Sequence, residues 1–538
     1  MHMSRFRLVA AAALAGVIMS IGVAAPARAE SSYGTLRGDI IDPDGWMQQG
    51  LAQIRTTRLS DGEVGWDTFR GGYSLVRSPG RYLVEARFEC KSSGGCIQNL
   101  YAGNTPYRSQ AQIVTVTADT ETFVNFTTRR GGSISGTVAD ATGGDLSSLA
   151  AQAHLVDPVT NSLTSWSVRA SVASNGSYRI AGVPAGDYLV RFIPGGFELA
   201  GAEYWNEADW IADAELVSVG DESVEVTNID GSVGAAGVYA ARYSGADRFA
   251  MAVGISQEYA SGVGVVFVTN GLNFPDALSA GPLGAAYGGP ILLVTPTSVP
   301  AVVAAELERL DPDTILVVGG VNSVGPAVYD QLATYASHIE RIAGADRFAA
   351  SRNLISAGFD EAETVYVATG HNFPDALAAG AAASFEHAPV LLVDGHASTV
   401  DVPTAELLGQ LGTSRIVVVG GPASVPASYL ASLAALPAVS EVARRSGADR
   451  FLAASGLNEA TFPVADVVFL ATGMNFPDAL AGGPLAGAWG APIYLVQKNC
   501  VPMSVISEIV RLQPHQILVL GGPASVGDEV MGLVPCGA

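Results

Sequence analysis

Short apolar runs alternate with amphipathic stretches throughout the second half of the chain. Strand-like runs at 264–269, 291–294 and 315–318 separate helix-like segments at 247–259, 275–286, 299–310 and 323–335. Continuous Val, Ile and Leu runs are typical of strands buried on both faces, and the intervening helices indicate a parallel sheet covered on each side. The pattern predicts a small α/β domain whose first helix is capped by Asp247.

The same unit occurs three times. Its landmarks are GADRF starting at 245, 344 and 447, NFPDAL starting at 273, 372 and 475, and a closing apolar strand followed by GG at 319, 420 and 521. Their fixed order predicts three α/β repeats at 241–340, 341–442 and 443–538. The glycine pairs lack the patterns of nucleotide-binding loops, so a tight turn or a close backbone approach is the favoured interpretation.

Residues before 241 follow a different pattern, with short alternating segments punctuated by Gly and Pro. GGYSLVRSPGRYLVEARF at 71–88 is similar to GSYRIAGVPAGDYLVRF at 176–192. This weaker internal repeat predicts two all-β sandwich modules, at 30–130 and 131–240. Their Pro-Gly and Pro-Ala-Gly turns predict hairpins.

The chain starts with the features of a secretory signal peptide. Arg5 and Arg7 precede an apolar segment at 8–24, and Ala27-Arg28-Ala29 is a small-x-small cleavage pattern. We expect residues 1–29 to be removed and the protein to be secreted, an uncleaved membrane anchor being the alternative. No later segment is long and apolar enough to span a membrane.

The composition is acidic. The formal net charge is −22, the sequence pI is about 4.6, and the lysines are Lys91 and Lys498 alone. Binding to nucleic acid depends on many basic contacts with phosphates, so a nucleic-acid partner is not expected. An anionic ligand would have to bind at local clusters of arginine, because the net negative charge of the protein does not attract it.

The repeated NFPD turns and GADR heads supply the candidate site residues. In the first repeat, Pro275 fits the first position of a helix and Asp276 its first turn, beyond the end of a strand, where open α/β sheets bind ligands. A guanidinium can hold a carboxylate in a bidentate pair. We expect the repeated arginines either to pair with the aspartates, within or across repeats, or to contact a ligand directly. The candidates are Arg248, Asn273, Asp276, Arg347, Asn372, Asp375, Arg450, Asn475 and Asp478.

Other candidate chemistry is sparse. His371 precedes one NFPD turn, but Leu272 and Met474 occupy its place in the other repeats, so no catalytic role is expected. No catalytic, metal or cofactor motif is found. Tyr204, Trp205 and Trp210 could stack on sugars, packing being the alternative.

The four cysteines of a secreted chain favour disulfides over zinc. Cys90 and Cys96 are close enough in sequence to close a small loop, which leaves Cys500 and Cys536 for each other.

The combination of GADRF, NFPDAL, the central P[IV]xLV strand and the closing [IV]xVxGG strand resembles the cell wall binding repeat 2 family over about 242–538. The resemblance implies three Rossmann-like units in a pseudo-threefold arrangement. It also implies non-covalent binding to an anionic polymer of a Gram-positive wall, near the grooves between repeats. The segment YRIAGVPAGDYLVRF at 178–192 resembles carboxypeptidase regulatory-like, prealbumin-type sandwiches, which are also classed with carbohydrate-binding-like folds.

These observations predict a secreted protein without enzymatic activity that is retained at the cell wall. The three repeats would bind a teichoic-acid-like or secondary wall polysaccharide, and the sandwiches would act as spacers or adhesive, carbohydrate-binding modules. The alternatives are a wall-lytic amidase, an amylase-like hydrolase, or a subunit of a surface layer. Once the modules are assigned, no stretch long enough for a catalytic domain remains.

Overall fold

The computed structural model describes residues 33–537 except 46, 60–62, 91–96, 98, 141–145, 161–162, 194–202, 207, 209–210, 221–223, 234–237 and 274–277. The predicted signal peptide therefore lies outside the described residues. The described chain has a β-rich N-terminal region followed by repeats in which helices and strands alternate.

The first N-terminal unit is built from short strands around one apolar core that includes Leu36, Ile54 and Val84. Its strands are β1 (Gly34–Gly38), β2 (Ile40–Ile41), β3 (Met47–Arg58), β4 (Val64–Arg70), β5 (Tyr73–Arg77), β6 (Gly80–Cys90), β7 (Asn99–Tyr101), β8 (Val114–Val116), β9 (Glu121–Phe123) and β10 (Phe126–Thr127). One sheet has the order β5-β1-β9 and another β4-β3-β6-β7, with β8 also on β6, while β10 pairs with β2.

The second unit repeats this arrangement around its own core, which includes Ile134, Val190 and Phe192. Its strands are β11 (Gly132–Asp140), β12 (Ala150–Val156), β13 (Leu163–Ser171), β14 (Ser177–Val183), β15 (Gly186–Ile193), β16 (Glu203–Tyr204), β17 (Leu216–Val219), β18 (Glu225–Val226) and β19 (Gly231–Val233). The sheet orders β14-β11-β18 and β13-β12-β15-β16, with β17 on β15, match those of the first unit strand for strand.

The Pro-Gly and Pro-Ala-Gly turns do not form the predicted hairpins. β5 pairs with β1 and β6 with β3, so the turn between β5 and β6 connects two sheets. The turn between β14 and β15 does the same in the second unit. β5 and β14 alternate buried and exposed residues near their starts, whereas β15 is buried almost throughout, and the two sheets of each unit face each other across one core.

Each C-terminal repeat contains a four-stranded parallel sheet with helices between the strands. The strands are β20 (Tyr239–Tyr243), β21 (Val265–Asn270), β22 (Ile291–Val294), β23 (Thr314–Val318), β24 (His338–Ile342), β25 (Thr364–Thr369), β26 (Val390–Val393), β27 (Arg415–Val419), β28 (Glu441–Arg445), β29 (Val467–Thr472), β30 (Ile493–Val496) and β31 (Gln516–Leu520). The helices are α1 (Arg248–Ser256), α2 (Ala280–Tyr287), α3 (Ala301–Leu310), α4 (Pro326–Leu332), α5 (Arg347–Gly358), α6 (Pro374–Phe385), α7 (Val402–Gln410), α8 (Ala427–Ala434), α9 (Arg450–Thr461), α10 (Pro477–Ala488), α11 (Met503–Leu512) and α12 (Asp528–Met531).

The predicted helix start at Asp247 is confirmed. The Asp247 carboxylate accepts hydrogen bonds from the backbone N–H groups of Phe249 and Ala250, both at 2.9 Å. Asp346 and Asp449 cap α5 and α9 in the same way. The cap depends only on the local GADRF sequence, which is why it recurs in all three repeats.

The repeats exchange a strand at each head motif. The sheet orders are β22-β21-β23-β24, β26-β25-β27-β28 and β30-β29-β31-β20. Thus β24 and β28 complete the sheets of the repeats that precede them, and β20 crosses to the last repeat. There Tyr239 lies opposite Gln516 and Tyr243 opposite Leu520, so the three repeats form a closed ring.

The predicted repeat starts at 241, 341 and 443 fall inside β20, β24 and β28, so each head strand extends across a predicted boundary. These head strands are short and only partly buried, which is why their apolar pattern did not reveal them.

The helices that follow the NFPD turns meet at the centre of the ring. Residues of α2, α6 and α10 belong to one apolar core shared by the three repeats. Small residues allow the close approach, since a Cβ on Gly284 would lie 2.7 Å from the side chain of Pro484. The Oγ atoms of Ser279 and Ser351 add a buried hydrogen bond of 2.7 Å between the first two repeats.

Both N-terminal units contact the ring. In the second unit, Tyr204 donates a hydrogen bond of 2.6 Å to Asp466 Oδ1, and the buried Arg191 donates one of 2.9 Å to the carbonyl of Leu512. In the first unit, Arg108 forms an ion pair with Glu441 on β28. The N-terminal units are thus packed against the second and third repeats.

Candidate functional site

The repeated arginines bind the turns that carry the NFPD motif. Arg248, Arg347 and Arg450 are the first residues of their helices. Their Nη1 atoms donate hydrogen bonds of 2.7, 2.6 and 2.6 Å to the carbonyls of Gly271, Gly370 and Gly473 in the same repeat. Each arginine therefore fixes the turn that follows the first strand of its own repeat.

The expected bidentate pairs between these arginines and the aspartates are not formed where they can be tested. Within the described residues, no ion pair joins Arg248 or Arg450 to Asp375 or Asp478. The charges are still neighbours across repeats: desolvation raises the pKa of Asp478 and Asp375, and the charges of Arg248 and Arg450, respectively, partly oppose that rise. Asp276 lies outside the described residues.

The two described aspartates are buried at the second position of α6 and α10, after the prolines that start these helices. Desolvation raises the pKa of Asp375 and Asp478, and hydrogen bonds from Ser424 and Ser525 oppose that shift. The aspartates thus hold the GGPAS turn of their own repeat.

This contact explains the double glycines. Gly420 has φ +112° and Gly521 φ +119°, a region that favours glycine. A Cβ on Gly420 would lie 2.4 Å from Asp375 Oδ2, and one on Gly521 would lie 2.6 Å from Asp478 Oδ2. In these two pairs the first glycine is therefore required for close approach of the carboxylate.

Aromatic rings of the NFPD turns bring the repeats together. The guanidinium of Arg248 lies 5.9 Å from the ring centroid of Phe476, and that of Arg450 lies 6.0 Å from that of Phe373. The two phenylalanine rings are 6.1 Å apart. We call each place where the arginine of one repeat meets the NFPD turn of another a seam.

The asparagines of the three turns, Asn273, Asn372 and Asn475, are exposed. Arg248, Arg347 and Arg450 are partly exposed. Each of the two described seams thus combines a partly exposed guanidinium with an NFPD turn whose asparagine is exposed. The aromatic ring is half-buried for Phe373 and buried for Phe476, and the carboxylates of Asp375 and Asp478 are buried. Such a surface can donate hydrogen bonds to an anion.

A second arginine in each head was missed by the sequence reasoning. Arg242, Arg341 and Arg444 donate hydrogen bonds of 2.6, 2.7 and 2.5 Å to the carbonyls of Gly521, Gly319 and Gly420. These are the glycines that lie at the closing turns. The signal was available, since an Arg opens the head motif of all three repeats.

The predicted sugar-stacking aromatics are not a surface cluster. Tyr204 is 1% exposed, and the stacking prediction is wrong for it because its ring is enclosed at the contact with the third repeat. Trp205 is half-buried and packs against the core of the second unit. Trp210 lies outside the described residues.

The predicted disulfide between Cys500 and Cys536 is present, with a Cα–Cα distance of 4.9 Å. It fastens the end of the chain to the turn after β30. The proposed partners Cys90 and Cys96 cannot be compared, since Cys96 and the Cys90 side chain lie outside the described residues.

Within the part of the chain that the structure describes, no helix has the length and apolar character needed to cross a membrane.

Comparison with known sequences identifies the repeats. The family model of cell wall binding domain 2 (CWB2) matches residues 242–329, 341–430 and 444–531. The chain is 26% identical over 291 residues to the amidase enhancer of Bacillus subtilis, covering 54% of this chain and 39% of that protein. It is 25% identical over 289 residues to the N-acetylmuramoyl-L-alanine amidase LytC of the same organism, covering 54% of this chain and 56% of the amidase.

Solved structures show the same fold. Cwp6 from Clostridium difficile aligns with a TM-score of 0.51 at 18% identity, covering 85% of this chain and 66% of that one. Cwp8 from the same organism aligns with a TM-score of 0.51 at 17% identity, covering 85% of this chain and 78% of that one. From the three matched repeats, the chain belongs to the cell wall binding domain 2 family, whose repeats indicate non-covalent association with a cell wall.

Proposed function

We propose that the three repeats retain this secreted protein at the wall by binding an anionic polymer, a teichoic-acid-like or secondary wall polysaccharide, at the seams. The supporting observation is that a partly exposed arginine of one repeat lies beside the NFPD turn of another. Arg248 meets the turn of the third repeat and Arg450 that of the second. We also propose that the three repeats are Rossmann-like and are related by a pseudo-threefold axis.

Local charge makes such a site feasible on an acidic protein. A guanidinium has five N–H donors, and a glycine carbonyl uses one from Arg248 and one from Arg450. The remaining donors suit the paired oxygens of a phosphate or carboxylate. Because Asp375 and Asp478 are buried while Asn372 and Asn475 are exposed, the surface of each turn presents amides rather than carboxylates.

The repeated architecture supports retention by several weak contacts. A polymer that engages more than one seam at once gains avidity of roughly 10²–10⁴ over one site, provided that its length matches the spacing. The family membership fits this mode of binding, since it indicates a non-covalent attachment.

Binding of the purified full chain to isolated walls tests the proposal. We expect Arg248→Gln and Arg450→Gln each to weaken binding about threefold to tenfold, corresponding to about 1 kcal/mol, the net size of one typical hydrogen bond. Arg352→Gln is the matched control, because Arg352 lies in α5 but forms an ion pair with Asp401 on the surface. Unfolding curves would verify that the variants fold.

Two outcomes would contradict this assignment. Equal retention on walls stripped of anionic polymer would exclude that ligand. Normal retention of the correctly folded Arg248→Gln, Arg450→Gln double variant would leave the seams with a structural role only.

For the N-terminal units, we propose two prealbumin-type sandwiches of the carboxypeptidase regulatory-like class that serve as spacers or adhesive modules. Their contacts with the ring through Tyr204, Arg191 and Arg108 favour presentation at a fixed angle over a freely moving arm.

We also propose that the protein is not an enzyme. Incubation of the purified protein with walls or starch should then release no soluble fragments.

A further inference from the structure

Three metal-ligating side chains meet in the second repeat, beside the NFPD turn that carries Asn372. His371, Asp394 and His396 each offer a ligand atom, and these atoms all lie within 4.8 Å of one another. His371 Nε2 is 2.7 Å from Asp394 Oδ1, and His396 Nδ1 is 3.8 Å from the same oxygen. The two imidazole rings stack with centroids 4.1 Å apart.

The sheet brings these residues together. His371 follows β25, while Asp394 and His396 follow β26, and these neighbouring strands are parallel, so both turns emerge at the carboxyl edge. Gly395 allows the second turn to approach the backbone of Ser424 closely, since a Cβ there would lie 2.0 Å from the carbonyl oxygen of Ser424. The backbone N–H of His396 also donates to Asp394 Oδ1 at 2.9 Å.

The other repeats show that the fold does not require this trio. The equivalent residues are Leu272, Thr295 and Thr297 in the first repeat and Met474, Gln497 and Asn499 in the third. The same strand order forms with all three sets. A single histidine at one of these positions would need no functional explanation. In the second repeat, however, all three positions carry potential metal ligands, and the three side chains lie close together, which indicates a common function.

From this convergence we propose that His371, Asp394 and His396 bind a divalent transition-metal ion of the zinc class. Two imidazoles and one carboxylate form a typical three-ligand set for zinc, which leaves a fourth position for water or another oxygen ligand. This site lies outside the expectation from sequence, which predicted no metal.

The required rearrangement is small. Zinc bonds of about 2.0–2.1 Å in a tetrahedron place ligand atoms about 3.3 Å apart. The His371–Asp394 contact would open slightly from 2.7 Å, and the His396–Asp394 contact would close slightly from 3.8 Å. Such changes lie within reach of side-chain rotation, because all three side chains are partly exposed. The bound ion would join the turn before Asn372 to the turn after β26.

Titration of the full chain, carrying no polyhistidine tag and freed of metal by a chelator, tests the site. We expect one equivalent of Zn²⁺ to bind, as measured by calorimetry, and Co²⁺ to give the intense visible absorption of a tetrahedral site. His371→Leu, Asp394→Thr and His396→Thr introduce the residues of the first repeat, so each should fold. Each should weaken Zn²⁺ binding at least tenfold.

The matched control is His338→Gln, which removes an exposed histidine of β24. It should leave the titration unchanged, and Zn²⁺ should raise the melting temperature of this variant and the wild type but not of the triple variant. Equal Zn²⁺ affinity of the wild type and the triple variant would overturn the proposal and leave a hydrogen-bonded surface cluster. Loss of binding in His338→Gln would equally overturn it. No polymer is present, so the result is independent of wall binding.

Discussion

At the residue scale, the glycine pairs are explained by a carboxylate rather than by a nucleotide. Asp375 Oδ2 occupies the space where a Cβ on Gly420 would lie, and the positive φ of that glycine adds a backbone constraint. The neighbouring Gly421 has no atom within 4 Å of its Cβ position and no positive φ. Gly421 therefore has room for a side chain, whereas Gly420 does not.

We predict that Gly420→Ala lowers the free energy of unfolding by about 2–4 kcal/mol, since it combines backbone strain with overpacking. Gly421→Ala should change it by less than about 0.5 kcal/mol. Chemical denaturation of both full-length variants measures the difference. Similar stability of the two variants would show that the carboxylate moves aside without cost.

At the element scale, the head strands determine how the repeats connect. β20 spans the predicted start of the first repeat at 241, yet it pairs with β31 near the end of the chain. Arg242 reinforces this contact by donating hydrogen bonds of 2.6 and 2.7 Å to the carbonyls of Gly521 and Val526. The sheet of the third repeat thus includes residues that lie 277 positions earlier in the chain, since Tyr239 pairs with Gln516.

We predict that a fragment of residues 244–538 is less stable than one of residues 238–538 by on the order of 3–5 kcal/mol. The shorter fragment loses Tyr239–Tyr243 and the hydrogen bonds of β20, each worth about 1 kcal/mol net. Both fragments lack the N-terminal units, which makes them a matched pair in denaturant unfolding. Identical unfolding curves would mean that the ring closure contributes nothing to stability.

At the scale of the whole molecule, a buried histidine lies near the contact between the second N-terminal unit and the third repeat. Both ring nitrogens of His154 are buried and make no hydrogen bond within the described residues. Desolvation, together with the charges of Arg191 and Arg511, lowers the pKa of His154 well below its usual value. His154 is therefore neutral in the folded protein.

Acid should weaken this region. An unfolded chain protonates His154 near pH 6.5, whereas the folded protein resists protonation to lower pH. The contribution of neutral His154 to the free energy of unfolding is therefore fully present above about pH 6.5. It declines as the pH falls from there to the pKa of His154 in the folded protein. We predict that the free energy of unfolding falls by about 1 kcal/mol more in the wild type than in His154→Leu between about pH 7.5 and about pH 5.5.

Denaturant unfolding at the two pH values measures this difference, with His338→Gln as the control for an exposed histidine. An equal fall in the wild type and His154→Leu would remove His154 as the source of the acid sensitivity.

Much of the architecture was predictable from spacing alone. The repeats, the order of their helices and strands, the caps at Asp247, Asp346 and Asp449, and the disulfide between Cys500 and Cys536 all follow from local patterns or pairing arithmetic. Apolar periodicity and capping involve residues a few positions apart, so they can be identified without knowing what the element packs against.

Tertiary structure decided which distant groups became partners. It directed the repeated arginines to glycine carbonyls instead of aspartates, enclosed Tyr204 against the third repeat, and brought His371 next to Asp394 and His396. It also paired β20 with β31. Each of these contacts depends on the order and packing of whole elements, and a given spacing along the chain is compatible with several such arrangements. Local sequence is therefore enough to specify the repeated elements, whereas the seams depend on how the repeats pack, because Arg248 and Arg450 contact turns of other repeats.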